Sequence, residues 1–256
     1  MRGLHGKRIV IAGGATGIGA ATATRLAEEG ASVVVGDLDL DAARATAQRV
    51  TDAGGTALAV EFDLADERSI QALISRSVTE LGGIDGLYNV GADLSGETMG
   101  RDSDLLGMDP AIWRRNHDVN LLGYALTCRE VIPHLLAHGG GVIVNTSSGA
   151  AWGGDPSRPA YAASKAGVSA LTRHIAGRWG KEGIRCNGVA PGVVMTDAFK
   201  QSGAEDMMAL ALRSIRAPRL GEPEDLAAVV AFLLSDDAAY VSGQVWSVCG
   251  GWSLRE

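Results

Sequence analysis

The sequence predicts an α/β protein with a doubly wound, mostly parallel sheet of seven strands and helices on both faces. Two observations predict it. Short runs rich in β-branched residues alternate with longer stretches of helical period along the chain, the pattern of strand–helix units in a parallel sheet. The strand runs are also apolar at nearly every position, as strands must be when helices cover both sides of the sheet.

In order, the first strand is RIVIAG, followed by a helix over Ala20 to Glu29. SVVVGD leads into a helix from Asp41 to Ala53, and ALAVEFD into one from Glu67 to Leu81. DGLYNV precedes a single long helical stretch from Pro110 to Ala137. GVIVNTSS leads to a helix over Ala160 to Lys181, IRCNGVA is followed by a helix from Pro223 to Leu234, and QVWSVCG completes the sheet. The longest stretch without a strand runs from Val193 to Leu220, with Phe199, Met207 and Met208 among polar residues. It is expected as a helical lid over the carboxyl ends of the strands, where such sheets bind ligands.

A chain of 256 residues is long enough for one large domain, and no composition shift divides it, so residues 1–256 are expected to be a single dinucleotide-binding and catalytic domain. The 23 Lys and Arg against 30 Asp and Glu give a net charge of −7 with no basic cluster, which argues against a nucleic-acid partner. Cys128, Cys186 and Cys249 are widely spaced and odd in number, so neither a disulfide framework nor a zinc site is expected. The longest apolar run, Leu226 to Leu234, is about half of the roughly 20 residues a membrane-spanning helix needs. KRIVIAGGATGIG at the start runs straight into glycines, unlike a secretory leader. No membrane segment and a cytoplasmic location are the expectations.

GGATGIG follows the first strand and opens the first helix. Glycines there let a pyrophosphate approach helix N–H groups and the positive end of the helix dipole. The spacing, with glycines at 13, 14, 17 and 19, is not G-x-G-x-x-G, so the turn alone also reads as an ordinary glycine-rich loop. Asp37 sharpens it. This acid ends the second strand, 18 positions after Gly19, where a carboxylate can accept hydrogen bonds from an adenosine ribose. Asp39 suits the cap of the next helix better. Leu38 beside Asp37, with neutral Ala15 and Thr16 in the turn, offers no cation for a 2′-phosphate, and Arg44 lies farther along the helix. The pattern therefore favours NAD over NADP.

In RPAYAASKAG, Tyr161 and Lys165 are four residues apart and share a helix face. Such a pair is common on solvated helices. In a partly dry site, however, the ammonium would draw the phenol's pKa from about 10 toward neutrality and make it a proton donor and acceptor. NTSSGA brings Ser147 and Ser148 to the same edge, and VNLLG supplies Asn120. The five histidines, His5, His117, His134, His138 and His174, are scattered without ligand spacing and read as surface or structural, and no metal is expected. Trp152 is either a pocket wall or a core aromatic, and Arg158 reads as solvated.

Together these residues resemble the single-domain branch of the short-chain dehydrogenase/reductase family, over residues 6 to 252. AGGATGIG matches its T-G-x-x-x-G-x-G turn, Tyr161 and Lys165 its Y-x-x-x-K, and Ser148 its serine 13 positions before the tyrosine. The resemblance implies a Rossmann fold and an NAD(H)-dependent oxidoreductase interconverting a secondary alcohol and a ketone. By the same resemblance, Tyr161 would be the acid/base, Ser148 would hold the substrate oxygen, and Lys165 would lower the tyrosine pKa and hold the nicotinamide ribose. Asn120 would hold a water linking Lys165 to solvent. Cofactor contacts would come from Gly13, Gly17, Ile18, Gly19, Asp37, Leu38, Asp63, Leu64, Asn89, Gly91, Tyr161, Lys165, Pro191, Val194 and Thr196.

Three departures stand out. Ala12 replaces the turn's usual threonine, YNVG (Tyr88, Asn89, Val90, Gly91) replaces N-N-A-G, and Cys249 replaces a usual aspartate. Because the family's threonine braces the N-N-A-G segment, the first two changes are expected to compensate each other. A small alcohol or ketone is the expected substrate, apolar if Leu94, Trp152, Val193, Phe199 and Met207 line its pocket. A homotetramer is the expected assembly, with helices near 113–138 and 160–181 at an interface. The rival readings are an NADPH-dependent ketone or 3-oxoacyl reductase on the same site, and a non-catalytic dinucleotide sensor. A sensor would have no use for the full set Asn120, Ser148, Tyr161 and Lys165.

Overall fold

The computed structural model describes residues 1–154, 156–201 and 205–254. Seven strands, β1 (Arg8–Ala12), β2 (Ser32–Asp37), β3 (Thr56–Glu61), β4 (Gly86–Asn89), β5 (Gly141–Thr146), β6 (Ile184–Pro191) and β7 (Val245–Val248), form one sheet in the order β3-β2-β1-β4-β5-β6-β7. Every neighbouring pair is parallel, so the sheet expected to be mostly parallel is wholly so. The helices are α1 (Gly17–Glu28), α2 (Leu40–Asp52), α3 (Glu67–Leu81), α4 (Pro110–His117), α5 (Gly123–Ala137), α6 (Ala150–Gly153), α7 (Pro159–Trp179), α8 (Asp197–Gln201), α9 (Glu205–Ser214) and α10 (Pro223–Leu234).

Strand residues alternate between two apolar cores. Val10, Val34, Leu87 and Ile143 pack with Leu73 of α3, Val131 and Leu135 of α5, and Val168 and Ile175 of α7. Ile9, Ile11, Val33, Val35, Tyr88 and Val144 pack with Leu26 of α1, Val50 of α2 and Val230 of α10 on the other face. Because both faces are covered, the central strands are buried throughout, which is why they read as continuous apolar runs. The chain reverses its winding between β1 and β4, and a crevice opens there at the carboxyl ends of the strands.

Two expectations change. The single helix from Pro110 to Ala137 is interrupted by a π turn, Asp118–Leu122, in which the Gly123 N–H donates to Asp118 O. One added residue per turn leaves the apolar period almost unaltered, so the pattern reads as a single helix; π turns of this kind occur often at functional sites. The stretch from 193 to 220 carries two helices, α8 and α9, between non-helical ends, and is anchored at its base by the Val194–Gly221 pairing.

Candidate active site

Every motif lies at the carboxyl edge of the sheet. Gly13 follows β1 with φ +102°, and a side chain there would run into the Gly91 N–H, 2.2 Å from an ideal Cβ. At Gly19 the same atom would fall 2.1 Å from Gly13 O. These two positions must be glycine for the turn to fold over itself and meet the 89–91 segment. Ile18, between Gly17 and Gly19, packs on the α1-side core. The cap residue Thr16 makes no side-chain hydrogen bond to α1, whereas Asp39, Asp66 and Asp109 cap α2, α3 and α4. The first N–H groups of α1 thus remain for a ligand phosphate.

Asp37 faces this turn. Its Oδ2 accepts from the Ala15 N–H at 3.0 Å and its Oδ1 from the Asp39 N–H at 3.2 Å. Both oxygens retain acceptor capacity for ribose hydroxyls. Leu38 beside it is 65% exposed, and Arg44 pairs with Asp41 at 3.1 Å. Asp63 Oδ1 accepts from Ala65 N–H at 2.8 Å, while Leu64 is buried where Gly91 and Gly123 leave room for it. Pro191 ends β6. Beyond it, Val194 N-terminal to α8 and Thr196, whose methyl lies against Gly17, close the far side of the crevice. These residues form a cradle that fits a dinucleotide.

Asn89 behaves differently from its neighbours. Its Nδ2 donates to Asn145 Oδ1 at 2.9 Å and its Oδ1 accepts from Thr127 Oγ1 at 2.8 Å, so the side chain points into a buried network. Only the backbone of 89–91 faces the crevice edge. The Ala12 departure leaves that segment braced all the same, because Val90 and Gly91 N–H both donate to Ala12 O at 2.9 and 2.8 Å. Tyr88 is tied separately to Thr146, whose Oγ1 donates to its phenol at 3.1 Å. The link between the two segments is thus made by backbone, and Tyr88 adds a side-chain tie from β4 to the end of β5. Cys249 packs under Gly192, and its Sγ accepts from the Ser253 N–H at 3.5 Å.

Ser148 follows β5, and Tyr161 and Lys165 project from one face of α7. Ser148 lies beside the Tyr161 phenol and favours its ionised form. Lys165 is 1% exposed; its Nζ donates to Thr146 O at 2.9 Å and lies 4.8 Å from the Tyr124 ring centre and 5.9 Å from that of Tyr161. The expected lowering of the tyrosine pKa by the lysine is not what this site shows. Burial raises the phenol, against the smaller opposing effects of the nearby Ser148 hydroxyl and the Arg158 charge. Burial also brings Lys165 down to about 7. With a pKa of about 7, Lys165 is only in part an ammonium at neutral pH, which weakens its pull on a phenolate. At neutral pH the lysine is the titrating group, and the phenol keeps its proton.

Asn120 lies in the π turn, fully buried. Its Nδ2 donates to Asn116 Oδ1 at 3.1 Å, and its Oδ1 accepts from the Asp93 N–H at 3.2 Å. Trp152 and Ala151 line a pocket with Ala166, Ser169 and Arg173 of α7 and with Gly243, Gln244 and Val245. Phe199 and Val193 are half-buried and Leu94 is exposed; the Met207 side chain lies outside the described residues. The thiols of Cys128 and Cys186 are buried, and burial raises both, the former to about 12. Among the described residues no helix is long and apolar enough to cross a membrane, and no cluster of His, Cys, Asp or Glu could hold a metal.

Asp102 and Asp93 also bear on the site without any local signal in the sequence. Asp102 receives the N–H groups of Ala160 and Tyr161, and Asp93 pairs with Arg115 at 2.8 Å. Both come from the segment between β4 and α4, which carries neither helical nor strand period. Each acts on an element distant in sequence, so no local spacing signals it.

The family model described as enoyl-(acyl carrier protein) reductase matches residues 13–253. A probable short-chain type dehydrogenase/reductase of Bradyrhizobium diazoefficiens is 41% identical, over 96% of this chain and 87% of the relative. A cis-4-hydroxycyclohexanecarboxylate dehydrogenase of Sinomonas cyclohexanicum is 40% identical, over 95% of each chain. Among solved structures, a 7α-hydroxysteroid dehydrogenase in complex with NADH and 7-oxoglycochenodeoxycholic acid superposes with a TM-score of 0.90 at 35% identity, covering 98% of this chain and 97% of that one. With the glycine turn, Ser148, Tyr161 and the buried Lys165 at one edge of the sheet, these matches end to end mean that the chain belongs to the short-chain dehydrogenase/reductase family and is an oxidoreductase acting on CH–OH groups.

Proposed function

We propose that this protein oxidises a secondary alcohol on an apolar ring to the ketone, and reverses that reaction, with NAD(H) as the redox partner. The juxtaposition of Ser148, Tyr161 and the buried Lys165 carries the reading, because it sets a hydroxyl, a titratable phenol and an amine together at the mouth of a dinucleotide crevice. NAD is supported by the structural neighbour solved with NADH and by Asp37, whose carboxylate would repel a 2′-phosphate. An alicyclic substrate is supported by two relatives, one named for a hydroxycyclohexane ring and the other for a hydroxysteroid.

Bound NAD supplies the hydride acceptor. The chain does the rest. The first turn of α1 and Asp37 hold the pyrophosphate and the adenosine ribose, with Leu64, Val194 and Thr196 closing the cradle. Ser148 donates to the substrate oxygen, and as that oxygen becomes a carbonyl Tyr161 takes the hydroxyl proton while giving up its own toward the unprotonated fraction of Lys165. Lys165, with a pKa of about 7, can receive and release a proton at neutral pH and so links Tyr161 to solvent. Asn120, held in the π turn by Asn116 and Asp93, is the residue assigned to hold the linking water. All of this lies within one catalytic domain. Assembly as a homotetramer and residence in the cytoplasm belong to the same reading, the latter supported by buried, free Cys128 and Cys186.

Tyr161→Phe tests it. The substitution keeps the ring and removes the transferable proton, so kcat with an alicyclic alcohol falls at least a hundredfold, while NADH still binds as read by fluorescence titration. Near-normal turnover would overturn the mechanism.

A further inference from the structure

The helix that carries Tyr161 starts in an uncommon way. Its cap residue Arg158 has φ +60°, the one positive value at a non-glycine position among the described residues. Its first residue, Pro159, has no N–H to satisfy, and the helical ladder opens with Ala162 N–H donating to Arg158 O at 3.0 Å. Two N–H groups are left without a helical acceptor, those of Ala160 and Tyr161. One side chain takes both: Asp102 Oδ1 accepts from Ala160 at 3.2 Å and Oδ2 from Tyr161 at 2.8 Å. The Asp102 carbonyl also accepts from the Arg158 N–H at 3.0 Å, holding the left-handed entry. Asp102 is 6% exposed, and its charge faces the positive end of α7.

The consequence falls unequally on the catalytic groups. Ser148 follows β5, a strand inside the sheet, and Lys165 lies one turn deeper in α7, tied to Thr146 O. Tyr161 is the third residue of its helix, on the turn that frays first when a cap is lost. The segment that supplies Asp102 also grips the π turn, through the Asp93 N–H to Asn120 Oδ1. One stretch of chain therefore spans both elements that bear on the proton path.

We propose that Asp102 is a positioning residue for the reaction: it fixes the first turn of α7 and thereby holds the Tyr161 phenol against Ser148. This rests on Tyr161 being the acid/base, and a double-mutant cycle separates the two claims. Asp102→Ala, with kcat counted per NADH-binding site, should fall at least tenfold, with the NADH Kd within threefold of wild type because the glycine turn lies elsewhere in the crevice. In the Tyr161→Phe background the same change should cost less than twofold. Wild-type kcat in Asp102→Ala, or equal losses in both backgrounds, would overturn the proposal and leave the Tyr161 mechanism standing; near-normal turnover of Tyr161→Phe alone would overturn the mechanism beneath it. Should Asp102→Ala bind no NADH, the cycle with Asp102→Asn decides, since Asn keeps one of the two acceptors. It should lose at least threefold in the Tyr161 protein and less than twofold in the Tyr161→Phe background, with the same overturning outcomes.

Discussion

Lys165 is enclosed by the Tyr124 and Tyr161 rings and by the end of β5, and its ammonium is stripped of water without a carboxylate in exchange. Burial therefore lowers it to about 7, against about 10.4 for a free lysine. The folded pKa is below the unfolded one, so between these values the unfolded chain binds the additional proton and stability rises with pH. The cost of the buried charge is full below pH 7 and vanishes near pH 10.5, and amounts to a few kcal/mol. Lys165→Met should accordingly abolish turnover yet raise the Tm of the NAD-free protein at pH 6, with the gap closing by pH 10 in thermal melts. A gap that is absent at pH 6, or that widens with pH, would mean the lysine is not destabilised by burial. A residue that weakens the fold while being indispensable to the proton path has the signature of a functional group.

At the scale of elements, the turn between β1 and α1 and the end of β2 are one unit, because Asp37 binds the Ala15 N–H as well as facing the ribose position. Asp37→Ala should then harm NAD twice, by loosening the turn and by removing the ribose acceptor, while relieving repulsion toward NADP. We expect wild-type protein to prefer NAD at least tenfold in kcat/KM, about 1.4 kcal/mol, and the variant to approach parity chiefly through weaker NAD use. Equal use of NADPH by wild-type protein would defeat this. Asp37 and its turn were legible in the sequence because both are local: glycines needed for close backbone approach and an acid at a strand end have spacing that survives without coordinates. The bounds of β2, α3 and α10 were legible for a similar reason, with Asp66 and Gly82 bracketing α3. The π turn was not, since it alters one hydrogen-bond ring inside an unbroken apolar period. Nor was Asp102, a cap delivered from 58 positions before Ala160. The direction of the Tyr161 shift was missed because desolvation depends on what the fold lays over the pair, whereas the spacing shows only that the two side chains share a face.

For the whole molecule, the sheet ends in β7, a strand of four residues whose outer edge has no neighbouring strand in the sheet order. Open strand edges invite pairing unless they are short or covered. Trp246 on this strand is 38% exposed and stacks on Phe232 of α10, with ring centres 5.6 Å apart. Tyr240 nearby in sequence is fully exposed, and on the helical side Leu122 in the π turn and Leu136 at the end of α5 are exposed as well. A homotetramer of the proposed kind needs a twofold contact on each of two axes, and the exposed apolar side chains at the β7 edge and beside α5 are candidates for burial in them. The net charge of −7 opposes nonspecific association of copies, so assembly should need these apolar contacts. Sedimentation velocity is expected to give a species of four chain masses, and Trp246→Glu, which places a charge at the β7 edge, to give a smaller species of two. A fully active wild-type monomer would remove the assembly from the account while leaving the active site intact, since every group assigned to it comes from a single chain.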